Sequence, residues 1–331
     1  MITTCYFGST QYIQAIANRG FYFSKGDLIM RKVLLATTAL VAISGISAAN
    51  ADISIGGNYE WEYTSKDAGA TFGDDGIVRI TATNTADNGM TFTAISAFGG
   101  GSGNLHIPEN YIQIDGDFGS VMLGHVDGNG ASSLMDGALG RNKDIETQGG
   151  LGSEATHNGT ADTAIFLDGG ADLIYMSPKM GGLQIGMSAD LTDSDTVASD
   201  GAMDVAVTYS MGGISLFGST TSGQEFDQSN MGVSANIAGL NVGVGMMDES
   251  GGTSKGKSQD VGVNYTLANG IKIAALSASG TGRDGTTKIK ASNFGASYSI
   301  APGVALNAET GVFTQNDVDN NYTWVAVNMK F

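Results

Sequence analysis

Strict alternation of apolar and polar residues is the feature of this sequence that most constrains its fold. In Met203–Met211 every odd position is Met, Val or Tyr, and every even position is Asp, Ala, Thr or Ser. The same period of two runs through 53–63, 240–246 and 261–267. Because successive side chains of a β-strand point to opposite faces of the sheet, these segments are predicted to be strands with one apolar face. The chain is therefore predicted to be all-β.

Turns divide the sequence into sixteen such strands, the first beginning at Asp52 and the last ending at Phe331. Short connections such as Gly212-Gly213 and Ala238-Gly239 alternate with longer polar segments. Gly, Asn and Asp tolerate the positive φ of tight hairpins, so the short connections indicate an antiparallel sheet. An even number of strands places both ends of this sheet on the side of the short turns.

An export signal precedes the first strand. Met30-Arg31-Lys32 is a basic start, residues 33–46 are apolar, and Ala49-Asn50-Ala51 fits the small-residue site at which a signal peptide is cleaved. We therefore expect translation to start at Met30 and cleavage to fall between Ala51 and Asp52. The predicted organisation is an upstream extension outside the fold, a signal peptide and a mature folded domain: residues 1–29, 30–51 and 52–331.

Composition and spacing exclude several classes of protein. Asp and Glu outnumber Lys and Arg by 33 to 16, and a net charge of −17 opposes binding to nucleic-acid phosphates. His106, His125 and His157 fall in different segments, and neither a nucleophile–base pair nor a metal-ligand spacing stands out. No enzyme activity and no required cofactor is predicted. Ca²⁺ could still bind at acidic loops such as Asp193-Ser194-Asp195.

Four features together favour a transmembrane barrel over a soluble sandwich. The apolar faces are continuous, short and long connections alternate, an export signal is present, and the last strand alternates as far as Phe331. Only a closed barrel satisfies every backbone group of a sheet in lipid, because it has no edge. Sixteen strands leave an aqueous channel. We therefore expect a multi-pass protein embedded in the lipid bilayer of a Gram-negative outer membrane.

Charged residues within the strands are expected to face the lumen, because Arg or Lys facing lipid at the midplane costs about 2–4 kcal/mol. Arg79, Lys272 and Lys290 each adjoin an Ile in sequence. If those Ile side chains face lipid, the three basic residues lie on the wall of the pore. Glu60 and Glu62 alternate with aromatic residues and are predicted to point inward by the same argument.

The sequence resembles the general porins of Gram-negative outer membranes, most closely those of alphaproteobacteria. Phe118-Gly-Ser-Val-Met-Leu-Gly-His125 is similar to the strand that leads into the constriction loop of that family, and 325–331 is similar to its last strand. The resemblance implies a homotrimer, with Phe331 as the assembly signal. It also implies that Asp127–Gly170, whose length already indicates a functional loop, folds into the barrel. The acidic candidates on that loop are Asp136, Asp144, Glu146 and Glu154.

These observations predict passive diffusion of small hydrophilic solutes and ions. Acidic residues on the loop, opposite basic residues on the wall, would create a transverse field that disfavours apolar solutes. The excess of acidic residues predicts mild selectivity for cations. The alternative function is that of a secreted Gly/Asp-rich β-protein, Ca²⁺-binding or adhesin-like, without channel activity. A barrel enzyme would need a nucleophile and base that the sequence does not offer.

Overall fold

The structure, a computed structural model, describes residues 51–67, 69–101, 104–126, 130–135, 171–191, 201–223, 227–251, 255–282 and 284–331. The chain divides into two units, Met1–Ala48 and Ala49–Phe331, and every described residue belongs to the second. The predicted extension, 1–29, and all but the last residue of the predicted signal peptide, 30–51, lie outside the described residues. Both assignments stay predictions.

The described residues form sixteen β-strands and one short α-helix, α1 (Ala131–Met135), which follows the fifth strand. Within the same residues, no helix is both long and apolar enough to cross a bilayer. The strands are β1 (Asp52–Lys66), β2 (Gly69–Thr85), β3 (Thr91–Gly101), β4 (Asn104–Gly116), β5 (Gly119–Val126), β6 (Ala171–Met176), β7 (Leu183–Ala189), β8 (Met203–Met211), β9 (Ile214–Ser222), β10 (Asp227–Ile237), β11 (Leu240–Ser250), β12 (Lys257–Thr266), β13 (Lys272–Thr281), β14 (Lys288–Ala301), β15 (Val304–Gln315) and β16 (Val318–Lys330).

The sheet closes on itself. Each strand pairs antiparallel with its neighbours in sequence, and β1 pairs with β16, which confirms the predicted sixteen-strand antiparallel barrel. At the closure, the backbone N–H of Gly57 donates to the carbonyl of Phe331 at 2.9 Å, and the N–H of Phe331 donates to Gly57 at 3.0 Å. A Cβ at position 57 would collide with the carbonyl oxygen of Ile77 on β2 and lie 3.0 Å from the ring of Phe331, so a glycine is needed where β1 meets these two neighbours.

The two faces of the barrel wall differ as the alternation predicts. In β8 the side chains of Met203, Val205 and Val207 are exposed on the outside, whereas Asp204 and Ala206 are buried on the inside. Large apolar side chains are exposed on the outer face of nearly every strand. In a monomeric soluble protein, an exposed apolar surface of this extent would be unusual. The outer face is therefore the one that meets lipid.

The barrel has two rims, which we call the terminal rim and the loop rim. The terminal rim carries both ends of the sheet and tight turns such as Gly212-Gly213, and the loop rim carries the connection 127–170. Several strands extend further toward the loop rim than the apolar pattern indicates: β1 and β2 pair as far as Lys66 and Gly69. The polar segments expected there as loops are partly strand, because backbone pairing continues in water without an apolar face.

Candidate functional site

The inner wall of the barrel brings together acidic side chains from strands that are distant in sequence. Glu60 and Glu62 lie on the inner face of β1, opposite to the exposed side chains of Tyr59 and Trp61. The indole Nε1–H of Trp324, on β16, donates to Oε2 of Glu62 at 2.7 Å. Because hydrogen bonds to a carboxylate are strong and directional, the fully buried Trp324 fixes where this charge lies.

A second carboxylate is held on the other side of β16. The hydroxyl of Tyr322 donates to Oε1 of Glu309 at 2.7 Å, and Glu309 lies on β15, directly opposite Trp324 in register. Glu309 was not among the residues expected at the site. Its alternation with Ala308 and Leu306 in sequence carries the same signal that identified the acids of β1. Two aromatic residues of one strand therefore position acids on both adjacent strands.

More acids follow around the wall. Glu249 on β11 and Asp260 on β12 are buried and lie on the inner face, the side opposite to the exposed Met246 and Val261. Each of these residues, like Glu60 and Glu309, has an interaction partner within the chain. Acidic residues therefore lie on the described inner wall at β1, β11, β12 and β15.

Arg79 lies on the inner face of β2, and its guanidinium forms a two-point ion pair with Glu109 on β4. The Nε–H donates to Oε2 at 2.8 Å, and the Nη2–H donates to Oε1 at 2.7 Å. Between the two strands, Ala97 of β3 is paired with both residues in register and is fully buried. Its small side chain leaves the space across which the long side chain of Arg79 reaches Glu109.

Glu109 is another site residue that the alternation did not identify. The pairing of β3 and β4 shifts register between Ala97 and Gly99, opposite the segment that contains Pro108. A bulge adds one residue to a strand and reverses the alternation on one side of it. The sequence around Pro108 therefore does not show a continuous period of two, although a proline in a predicted strand is itself a signal of such a bulge.

The two lysines expected on the pore wall lie on different faces. Lys272 shares the inner face of β13 with the buried side chain of Ala274. The expected inward orientation of Lys290 is wrong: it shares the outer face of β14 with the exposed Phe294 and Tyr298. Its neighbour Ile289 is only 1% exposed and points inward, so the assumption that this Ile faces lipid fails.

The inward position of Ile289 is explained by an apolar cluster inside the barrel. Ile289 packs with Leu276, Ala291 and Phe313 on the inner face of β13, β14 and β15. Burial of these side chains stabilises the wall near the loop rim, and it forces the adjacent lysines outward. An apolar residue next to a lysine in a barrel strand therefore does not by itself define which of the two faces lipid.

The long connection after β5 begins inside the barrel. Met135, at the end of α1, packs against Ala206 and Phe217, which occupy inner positions of β8 and β9. The structure describes only residues 130–135 of this connection. The four acidic candidates on the loop lie outside the described residues: Asp136, Asp144, Glu146 and Glu154.

The two ends of the expected mature chain meet at the terminal rim. β1 begins at Asp52, directly after Ala51, and the ring of Phe331 is exposed on the outer face beside Gly57. Cleavage between Ala51 and Asp52 and the role of Phe331 as an assembly signal stay predictions.

The loop acid Asp284 is held by hydrogen bonds within its own turn. Asp284, between β13 and β14, accepts hydrogen bonds from the hydroxyl of Thr287 at 2.6 Å and from the backbone N–H groups of Thr286 and Thr287 at 2.8 Å. These donors lower the pKa of the Asp284 carboxyl well below its ordinary value. No group of three or more His, Cys, Asp or Glu suited to a metal ion occurs among the described residues.

Comparisons with known proteins agree on the kind of protein to which this wall belongs. Residues 36–318 match the family model of the Gram-negative porins. The barrel is similar to a variant of the porin of Rhodobacter blastica, with a TM-score of 0.66 at 18% identity, covering 85% of this chain and 100% of that one. It is also similar to the anion-selective porin of Comamonas acidovorans, with a TM-score of 0.68 at 16% identity and coverages of 85% and 100%.

A third similar structure is that of a loop-deleted OmpT, an outer membrane protein of Vibrio cholerae, with a TM-score of 0.67 at 12% identity; it covers 86% of this chain and 100% of that one. No curated protein sequence matches the chain. Structural similarity at sequence identities this low is evidence for a shared fold only.

Proposed function

The chain belongs to the Gram-negative porin family, and on that premise we propose that it forms a water-filled channel for passive diffusion of small hydrophilic solutes and ions. It is a multi-pass protein of the outer membrane and a channel rather than an enzyme. A location in the outer membrane excludes the alternative function, that of a secreted β-protein without channel activity. The observation that carries the proposal is the closed barrel of sixteen strands with an apolar outer face and an acidic inner face.

The size of the barrel supports an aqueous lumen. In a barrel of eight strands side chains fill the interior, whereas barrels of 16–18 strands leave room for water. Polar side chains such as Asn230, Asn264 and Asn307 occupy inner positions of β10, β12 and β15. Such side chains make the inner face of the wall polar, in contrast to its apolar outer face.

Mild cation selectivity is the second part of the proposal. The acids Glu60, Glu249, Asp260 and Glu309 lie on the inner wall, and the charge of Arg79 is compensated by Glu109. A pore wall with excess negative charge concentrates cations in the lumen. The anion selectivity of the Comamonas porin is a property of that protein, and at 16% identity it does not transfer to this chain.

The connection Asp127–Gly170 is proposed to narrow the lumen, with Asp136, Asp144, Glu146 and Glu154 contributing its negative charge. The support is the position of α1, whose Met135 already contacts the inner wall at Ala206 and Phe217.

Ca²⁺ at exterior acidic loops is a secondary proposal, and no other cofactor is proposed. If Ca²⁺ is dispensable for the pore, channels recorded in EDTA should show the same conductance as channels recorded with Ca²⁺.

A homotrimer is proposed as the assembled state. On the outer face, Ser96, Asn110 and His125 form a polar row across β3, β4 and β5, with a hydrogen bond of 3.0 Å from Ser96 to Asn110. Exposed Phe98 and Leu123 share this face, so the row lies within the apolar surface. Polar groups facing lipid are costly, and contact with a second copy would remove that cost.

Planar-bilayer recording of the detergent-extracted protein tests the proposed function. We expect conductance steps that open in groups of three, and swelling of proteoliposomes whose rate falls smoothly with sugar size and does not saturate. Native mass spectrometry provides the matching count of copies. Protein that inserts without producing any conductance would contradict the channel, and single steps from a single copy would contradict the trimer.

A further inference from the structure

The helix α1 is attached to the barrel wall by hydrogen bonds at its first turn. The backbone N–H of Ser132 donates to Oδ2 of Asp204 at 2.7 Å. The N–H of Ala131 donates to the hydroxyl oxygen of Ser188 at 3.0 Å, and that hydroxyl donates in turn to Asp204 Oδ2 at 3.1 Å. Ser188 and Asp204 are opposite each other on the inner faces of β7 and β8.

The carboxylate of Asp204 has further support from the wall. The hydroxyl of Thr221, on the inner face of β9, approaches its Oδ1 at 3.4 Å. Asp204 is 1% exposed, so it has left water and depends on these donors. A buried acid with three protein donors from β7, β9 and α1 has a fixed position.

The side of α1 that meets the wall also fits it by shape. A Cβ at Gly186 of β7 would lie 2.5 Å from Sδ of Met135 and 2.8 Å from Cβ of Ala131, so only a glycine leaves room for the helix. Met135 also packs against Ala206 and Phe217. Hydrogen bonds at the start of the helix and apolar contacts at its end therefore seat Ala131, Ser132 and Met135 against β7, β8 and β9.

We propose that Asp204 is a positioning residue that caps α1 from the barrel wall and thereby fixes the start of the long connection inside the lumen. The first N–H groups of a helix have no partner within it, and an acidic acceptor there is favourable. Loss of such a cap shifts the equilibrium toward the detached helix by about tenfold. Because Asp204 is buried beneath the helix, it acts through α1 and does not touch permeating solutes.

Hydrogen exchange of the full-length protein in detergent tests the attachment directly. In Asp204→Ala, the amides of Ala131 and Ser132 are expected to exchange about tenfold faster, whereas Asp204→Asn keeps an acceptor and gives a smaller change. Ser210→Ala, on the same face of β8, is the matched control and leaves these amides unchanged. Unchanged exchange in Asp204→Ala would overturn the inference.

A second variant reaches the same helix without altering Asp204. Gly186→Ala is expected to displace α1 and to raise exchange at the same two amides. Gly218→Ala on β9 is its control, because the nearest atom to its new Cβ is the Asn230 carbonyl oxygen at 3.9 Å. Exchange in Gly186→Ala that is no faster than in Gly218→Ala would contradict the fit of α1 against Gly186.

Single-channel recording shows whether the attachment matters for the pore, a step that rests on the proposed function. We expect a noisier open state in Asp204→Ala and Gly186→Ala. A disulfide between Ser132→Cys and Asp204→Cys, in a Cys5→Ser background, is expected to restore a quiet channel until it is reduced. If the amides of α1 exchange faster but the single-channel current is unchanged, the role of Asp204 in holding α1 stands, and the proposal that the connection after β5 narrows the pore is contradicted. Failure of the disulfide to quiet the channel would show that the charge of Asp204, rather than its hold on α1, is what matters.

Discussion

Arg79 and Glu109 form a two-point ion pair across the buried side chain of Ala97, on the inner wall made by β2, β3 and β4. The pair is partly open to the lumen, with 38% of the Arg79 side chain and 18% of the Glu109 side chain exposed. Because the two charges compensate each other, this part of the wall adds little net charge. The sign of the field in the lumen then depends on the acids of the other strands.

Replacing Arg79 with Gln is expected to make the channel more cation-selective, because the charge of Glu109 is then uncompensated. A unit charge about 7 Å from an ion in water is worth about 0.6 kcal/mol, or roughly threefold in local ion concentration. Reversal potentials in a KCl gradient measure the shift. An unchanged reversal potential would show that the charge of Arg79 does not act on ions in the conducting path.

Glu109→Gln is the matched variant and should move the reversal potential in the opposite direction by a similar amount. The double variant should return close to the wild-type value, since the pair is nearly neutral. A double variant whose reversal potential stays far from the wild-type value would show that the two charges do not compensate each other.

Lys272 and Lys290 provide a second matched comparison, because the first lies on the inner face and the second on the outer face. Lys272→Gln is expected to increase cation selectivity, by up to roughly threefold in local ion concentration. Lys290→Gln should leave selectivity unchanged within error. The opposite order of effects would contradict the assigned faces of β13 and β14.

The two tryptophans of the chain report which face of the wall meets lipid. Trp61 is 42% exposed on the outer face of β1, and Trp324 is fully buried on the inner face of β16. Brominated lipids should quench the fluorescence of Trp324→Phe, which keeps Trp61, and should barely quench Trp61→Phe. Equal quenching in both variants would contradict the alternation of faces.

The packing of β1 against its neighbours on both sides depends on the absence of a side chain at Gly57. In Gly57→Ala the added Cβ would meet the Ile77 carbonyl oxygen and lie 3.0 Å from the ring of Phe331. Overpacking at such a contact costs about 1–3 kcal/mol. The temperature at which the folded band is lost in gel electrophoresis should fall, whereas Gly218→Ala should match the wild type. Equal melting of the two variants would contradict the tight packing around Gly57.

The alternation of side chains predicted the barrel, its closure and the number of strands, because a wall between lipid and water imposes a period of two. It also gave the inward faces of Glu60 and Arg79 from apolar neighbours on both sides. For Lys290 the same rule used a single neighbour, Ile289, which belongs to an inner apolar cluster. Phe294 and Tyr298, of the same parity as Lys290, would have given the correct face.

Contacts between distant strands could not be predicted. The pairing of Arg79 with Glu109 depends on a register shift beside Ala97, and the hold of Asp204 on Ser132 joins β8 to the connection after β5. Neither has a sequence spacing that a local pattern could detect. Trp324 and Tyr322 were likewise assigned no role, since inward aromatic residues are unexpected in a polar lumen until their donors are seen to meet carboxylates.

The central claim is that the barrel encloses an open aqueous pore whose wall carries excess negative charge. The reversal potential of the purified, reconstituted protein across a tenfold KCl gradient tests both parts in one recording. We predict stable conductance with a reversal potential of the sign that marks K⁺ as the more permeant ion. A reversal potential of the chloride sign would contradict the selectivity, and an absence of conductance from inserted protein would contradict the pore itself.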